Sequence, residues 1–175
     1  PIVKEAIKLL RASLPSSIEI RQQIEGDALV IKTNPTQIHQ VLMNLCTNAA
    51  HAMRENGGLL EIGLSKVDID AISAAQYPDI YPGSYVRLSI RDTGHGMPPE
   101  VLKKIFDPYF TTKQVGEGSG LGLAVVHGIV KSHGGEITVT SEVGKGSTFR
   151  VYFPRIEHAK WIVDMQKVEP FAVGR

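Results

Sequence analysis

The sequence predicts an α/β two-layer sandwich (α+β): a mixed, largely antiparallel sheet with helices packed on one face. Two observations lead there. Hairpin patterns stand near both ends of the chain, at residues 18–32 and 136–153, which argues against a doubly wound parallel sheet. Between them, runs of helical spacing alternate with strand-like runs, about four helices and six strands in all. At 175 residues, with 42% hydrophobic and 21% charged, the chain suits one ordinary globular domain.

The elements follow in order. Residues 2–14 place Ile2, Ala6, Leu9, Leu10 and Leu14 at helical spacing, and Pro15 stops the helix. Ile18 to Ile24 alternates as a half-buried strand. Glu25-Gly26-Asp27 is a turn, and Ala28 to Lys32 is the second arm of the first hairpin. Asn34-Pro35 then caps and opens a helix that runs to about Asn56-Gly57-Gly58. Its apolar stripe is Ile38, Leu42, Leu45, Ala49 and Met53. A second stripe holds Gln37, Gln40, Asn44, Asn48, His51 and Glu55, also in line. Solvated faces favour Lys and Glu, whereas this one carries amides and an imidazole.

Leu60 to Val67 alternates like a strand, and residues 68–83 make an excursion with a short helix near Ala71. Tyr85 to Arg91 is a strand ending at Asp92. Pro98-Pro-Glu100 opens a helix through about Ile105. Residues 106–119 are glycine-rich loop. Gly120 to His133 is an almost wholly apolar helix, expected to be buried on most sides, and Gly134-Gly135 ends it. Glu136 to Ser141 and Ser147 to Phe153 form the last hairpin. The expected division is a linker helix at 1–14, a domain at 15–154 and a tail or linker at 155–175.

Charge and composition exclude some functions. A formal net charge of +1 makes no electrostatic case for nucleic acid or an anionic membrane. An aromatic content of 6% makes no case for base-stacking platforms either. Cys46 is the single cysteine, which rules out an internal disulfide and fits a reducing compartment. No apolar run reaches the length of a membrane span, and no signal peptide opens the sequence. The expected compartment is the cytoplasm. The start at Pro1 without Met leads us to expect a fragment, and leaves membrane anchoring of the parent open.

The chemistry concentrates between Asp92 and Leu123. Gly116, Gly118, Gly120 and Gly122 alternate and end at a helix N-terminus, where amides and dipole attract anions. Both a phosphate site and a flexible hinge fit these glycines. The Rossmann fingerprint, the P-loop and the protein-kinase loop all match poorly. Asp92 ends a strand, and its carboxylate suits an exocyclic amine such as adenine N6. Gly94 and Gly96 beside it let the backbone close over a flat base. A plain turn aspartate has the same local pattern.

Taken together, four segments resemble one family. Asn44-Leu-Cys-Thr-Asn48-Ala-Ala, Asp92-Thr-Gly-His-Gly-Met97, Phe106-Asp-Pro-Tyr-Phe-Thr-Thr-Lys113 and Gly116-Glu-Gly-Ser-Gly-Leu-Gly122 resemble the N, G1, F and G2 boxes of bacterial sensor histidine kinases, in order and spacing. The resemblance spans about residues 1–154. It implies the Bergerat ATP-binding fold of the GHKL superfamily, shared with gyrase, chaperone and mismatch-repair ATPases.

The resemblance implies roles as well. Asn48 holds Mg²⁺ between the phosphates, and Asn44 supports the metal or its waters. Asp92 binds the adenine amine, with Gly94, Gly96, Met97 and Thr148 around it. Gly118, Ser119, Gly120, Leu121 and Gly122 line the phosphates under a lid of residues 106–119. Lys113 reaches the γ-phosphate. His51 stands where the family often has a basic phosphate contact, although a neutral imidazole serves less well than Lys or Arg.

Hydrolysing members of the superfamily carry a general-base Glu where this chain has Asn44. An amide cannot take a proton from water, so the implied site holds ATP for transfer.

None of the six histidines (His39, His51, His95, His127, His133, His158) has the family's acceptor context. The acceptor is therefore expected on a separate dimerisation domain, with a response regulator receiver domain downstream. His127 and His133 read as structural, and no histidine set suggests zinc. Two alternatives stay open: a serine kinase of the same superfamily, such as an anti-sigma factor, and a nucleotide-binding module without transfer.

Overall fold

A computed structural model describes residues 2–25, 34–77, 80–111 and 121–155. In chain order these form α1 (Ile2–Ser13), β1 (Ile18–Ile24), α2 (Pro35–Ala52), β2 (Gly58–Ile69), α3 (Ala71–Ala74), β3 (Gly83–Asp92), α4 (Pro99–Leu102), α5 (Gly122–Ser132), β4 (Glu136–Glu142) and β5 (Gly146–Pro154). The strands make one sheet in the order β1-β2-β3-β5-β4. β1 and β2 run parallel, and every other neighbouring pair is antiparallel. This is the expected mixed, largely antiparallel sheet.

Parallel neighbours need a crossover rather than a tight turn. Here α2 lies in the connection, which returns β2 alongside β1 with Ile18 opposite Gly58 and Ile24 opposite Leu64. The expected hairpin partner of β1, residues 28–32, lies outside the described residues. The C-terminal hairpin forms as read, with Glu136 opposite Tyr152 and Glu142 opposite Gly146.

α2 is the central helix. Asn34 caps it by accepting the Thr36 N–H at 2.9 Å, and Pro35 stands at its first turn. Its apolar stripe of Ile38, Leu42, Leu45, Ala49 and Met53 is buried as expected. The helix ends at Ala52, sooner than the glycines suggested, and Gly57 closes the turn by donating to the Met53 carbonyl at 2.8 Å. α1 packs against α2 and contributes Ala6, Ile7 and Leu10 to the same core. The buried face of α1, a helix within the segment expected to be a linker, thus packs into this domain's core.

Three other elements depart from expectation in extent or burial. β2 runs on to Ile69, and Asp70 then caps the single turn of α3, accepting the Ser73 N–H at 2.7 Å. α4 stops at Leu102 because the chain tightens into i to i−3 bonds, such as Lys104 N–H to the Val101 carbonyl at 2.9 Å. In α5 only Val126, Ile129 and Val130 are fully buried. Leu123 and Val125 are half-buried and Gly128 is exposed, so this helix has one core face rather than burial on most sides. Among the described residues no helix is long and apolar enough to cross a membrane.

Candidate functional site

Strand alternation decides where Asp92 faces. In β3, Val86, Leu88 and Ile90 are buried at alternate positions, and Asp92 is next in that series. Only 3% of Asp92 remains exposed. Its Oδ1 accepts the Gly94 N–H at 2.9 Å and the Ser147 N–H at 3.3 Å. Burial pushes the carboxyl above the usual carboxylate range, and the two N–H bonds and nearby His95 offset this only in part. Oδ2 is the acceptor left for a ligand.

Asp92 lines a cavity of about 320 Å³. That volume lies in the range of small-molecule sites. α2 supplies Asn44, Asn48 and His51 to its wall, the loop after β3 supplies Gly96 and Met97, and α5 supplies Gly122 and Leu123. Three members of the polar stripe on α2 thus face the cavity one turn apart. Gln40 and Glu55, which flank these three in the stripe, are solvent-exposed.

Other expected site residues stand elsewhere. Gly94 is not on the cavity wall: it holds the Asp92 carboxylate and packs so closely on Ala52 of α2 that a Cβ would sit 2.7 Å from the Ala52 carbonyl oxygen. Leu121 is the N-cap residue of α5, half-buried and off the wall. Thr148 does not line the cavity, whereas its neighbours Ser147 and Phe149 do. Residues alternate across a strand, so the side chain beside Asp92 belongs to Ser147. Lys113, Gly118, Ser119 and Gly120 lie outside the described residues.

The sequence reading did not find Ser147, Phe149, Met43, Ala52 or Phe110 on the wall. For Ser147 the signal existed. Phe149, Val151 and Phe153 mark the buried side of β5 at odd positions, and Ser147 is odd. The others are apolar residues whose sharing of one wall depends on how α2, the 106–111 segment and the sheet meet.

The histidines have defined partners. The Nε2 of His51 lies 3.0 Å from Arg54 Nη1. A guanidinium only donates, so Nε2 accepts and the imidazole carries its proton on Nδ1. Arg54 thereby brings the permanent charge that His51 lacks. His95 is exposed with Nδ1 2.7 Å from the Gly96 carbonyl, so that nitrogen donates. His133 Nδ1 lies 2.8 Å from the Ile129 carbonyl, and its ring meets Phe153 edge-on. His127 packs on Phe106. These contacts fit the structural reading of both. Cys46 is fully buried, and burial pushes its thiol up to about 12.

The donor set fits a magnesium–nucleotide complex. Among the described residues no three His, Cys, Asp or Glu side chains cluster as a metal cage. Asn44 and Asn48 offer amide oxygens, the hard donors that suit Mg²⁺ held jointly with phosphates. Asn44 Nδ2 donates to the Gly122 carbonyl at 3.3 Å, which ties α2 to the start of α5 and keeps the amide oriented.

Comparison with known proteins places the chain. The model of the family "Histidine kinase-, DNA gyrase B-, and HSP90-like ATPase" matches residues 33–157.

The chain belongs to this family. Among its ATPase-family relatives, Sensor kinase CckA of Brucella abortus (strain 2308) is 44% identical over 87% of this chain, and the match spans 16% of that protein. Sensor histidine kinase ZraS of Escherichia coli (strain K12) is 36% identical over 87% of the chain, spanning 29% of that protein. The chain thus spans under a third of the length of either relative. The catalytic domain of histidine kinase ThkA, nucleotide-free, superposes with a TM-score of 0.71 at 29% identity, covering 90% of this chain and 93% of that one. Full-length ShkA in complex with AMPPNP superposes with a TM-score of 0.66 at 26% identity, covering 89% of this chain and 29% of that one. Within the family, these relatives place the chain with the ATP-binding catalytic domains of sensor histidine kinases.

Proposed function

We propose that the chain binds Mg-ATP and holds the γ-phosphate for transfer to a histidine on a separate dimerisation domain, in two-component signalling. The observation that carries this reading is one cavity that joins Asp92, the Asn44 and Asn48 amides and the first residue of α5. The AMPPNP complex of ShkA supports it by similarity.

In this reading Asp92 Oδ2 accepts a hydrogen bond from the adenine amine. Asn48, with Asn44 one turn earlier, would hold Mg²⁺ or its waters. Gly118, Ser119, Gly120, Leu121 and Gly122 would surround the phosphates with backbone amides, and Lys113 would reach the γ-phosphate. When bound, Mg²⁺ would neutralise phosphate charge. His51, held against Arg54, would stand beside the phosphates. Phosphoryl transfer needs positioning and charge neutralisation more than covalent chemistry. Asn44 cannot act as a base toward water, so intrinsic hydrolysis is slow. The receiver domain of a response regulator would take the phosphoryl group next, in the cytoplasm. α1 would connect this domain to the acceptor-bearing one.

Incubation with γ-labelled Mg-ATP and a separately supplied acceptor domain tests the transfer. Acid-labile label on the acceptor histidine is expected. ATP binding with no labelled acceptor would leave a binding module alone. Asn48→Ala tests the metal role: nucleotide affinity in Mg²⁺ should fall by about tenfold or more while Mg²⁺-free affinity holds. Unchanged Mg-ATP affinity in that variant would rule the role out.

A further inference from the structure

Ser141, on β4, does not touch the cavity, yet it contacts three groups around it. Its Oγ accepts the Met97 N–H at 2.8 Å, lies 3.1 Å from the Gly146 carbonyl oxygen and lies 2.8 Å from Ser147 Oγ. A serine hydroxyl has one proton and two lone pairs. A carbonyl only accepts, so the Ser141 proton lies on Gly146. The Met97 N–H takes one lone pair. Either hydroxyl could donate across the contact with Ser147; the arrangement that makes all three bonds has the Ser147 proton donated into the second lone pair. Every valence of Ser141 Oγ is used.

This count has a consequence for the cavity wall. Ser147 Oγ, its proton turned away, presents lone pairs alone. Beside it stands Asp92, whose Oδ1 already holds two backbone N–H groups and whose Oδ2 is an acceptor. The two side chains share one face, and both line the cavity. That part of the wall is therefore acceptor-only. A purine with a 6-amino group satisfies it, whereas a 6-oxo purine sets an acceptor against acceptors. Unpaired polar groups of this kind discriminate strongly.

We propose that Ser141 is a specificity-determining positioning residue: by taking the proton of Ser147 it keeps the base pocket acceptor-only and selects 6-amino over 6-oxo purine nucleotides. This rests on the adenine-nucleotide reading of the cavity. It adds that selectivity depends on a residue out of reach of the nucleotide.

Calorimetric titration of the 175-residue chain with Mg-ATP and with Mg-inosine triphosphate tests it. The parent should prefer ATP. In Ser141→Ala the Ser147 proton loses its acceptor and turns to the cavity, where it can donate to a 6-oxo group. The ATP-to-ITP affinity ratio should fall by about tenfold. Ser141→Thr keeps a hydroxyl and should restore the ratio. In a Ser147→Ala background, Ser141→Ala should leave the ratio unchanged, because the two residues act through one proton.

A displaced loop at Met97 would weaken both nucleotides together and leave the ratio alone. An unchanged ratio in Ser141→Ala, or an effect that persists without Ser147, overturns the proposal. If Ser141→Ala does not fold, Ser141→Cys gives the same comparison, since a thiol is a weak acceptor. A parent that binds both nucleotides alike, or neither, overturns the adenine reading itself.

Discussion

Asp92 carries a cost that its chemistry requires. Its native carboxyl is shifted upward by burial, so the folded chain binds that proton more tightly than the unfolded chain does. The sign follows. The unliganded fold is favoured below the ordinary carboxylate range, and it loses that contribution as pH rises through the raised value. Nucleotide binding runs the other way, because the acceptor must be ionised, and affinity should fall as pH drops through the same window. Asp92→Asn separates the two. The amide oxygen can keep the bonds from Gly94 and Ser147, so thermal stability at neutral pH should hold or rise. ATP affinity should drop by about 10- to 100-fold, because the amide nitrogen is a donor facing a donor. Calorimetry and a melting curve on one variant check both halves.

At the scale of elements, the loop after β3 and helix α5 make opposite demands on glycine. Gly96 has φ of 71°, and a Cβ there would run into the Glu142 carbonyl of the β4–β5 hairpin. The loop is pinned to that hairpin by Gly144 N–H to the His95 carbonyl at 2.8 Å and by Met97 N–H to Ser141. Gly96→Ala should lower stability by about 1–3 kcal/mol and weaken nucleotide binding, read by denaturant titration and by calorimetry. Gly128 lies in the interior of α5, exposed, with nothing within 4 Å of an added Cβ. Gly128→Ala should therefore raise stability by about 0.5–1 kcal/mol and leave binding unchanged. Denaturation midpoints of the two variants should move in opposite directions.

For the whole molecule, α1 is the element whose place was least evident. Its amphipathic spacing could equally have served a helical hairpin outside the domain. Here Ala6, Ile7 and Leu10 join residues of α2 and the sheet in one core, and Arg11 Nη2 reaches the Ile20 carbonyl at 3.3 Å. Leu10 is fully buried. Leu10→Ala should cost about 2–5 kcal/mol, with the urea midpoint as the readout. A change below about 0.5 kcal/mol would mean that α1 does not pack there in solution.

Local order was legible because it is written in local chemistry. The cap at Asn34-Pro35, the stripes of α2, the final hairpin and the turn glycines each depend on residues a few positions apart. The site's amides and carboxylate were legible for the same reason, since Asn44 and Asn48 are one turn apart and Asp92 closes an alternating run. Thr148 is implied by the family resemblance alone, and alternation in β5 puts Ser147 rather than Thr148 on the cavity wall.

By itself the sequence determined the class of sheet, the order of the elements, the family and the kinds of groups brought to the cavity wall. Only the tertiary structure decided that β2 returns parallel to β1, that α1 belongs to this core, that Asp92 is nearly sealed from solvent and that Ser141 backs the pocket. Periodicity and capping act between near neighbours in the chain. Burial, register and a shared proton arise between residues far apart in sequence, once packing has brought them together.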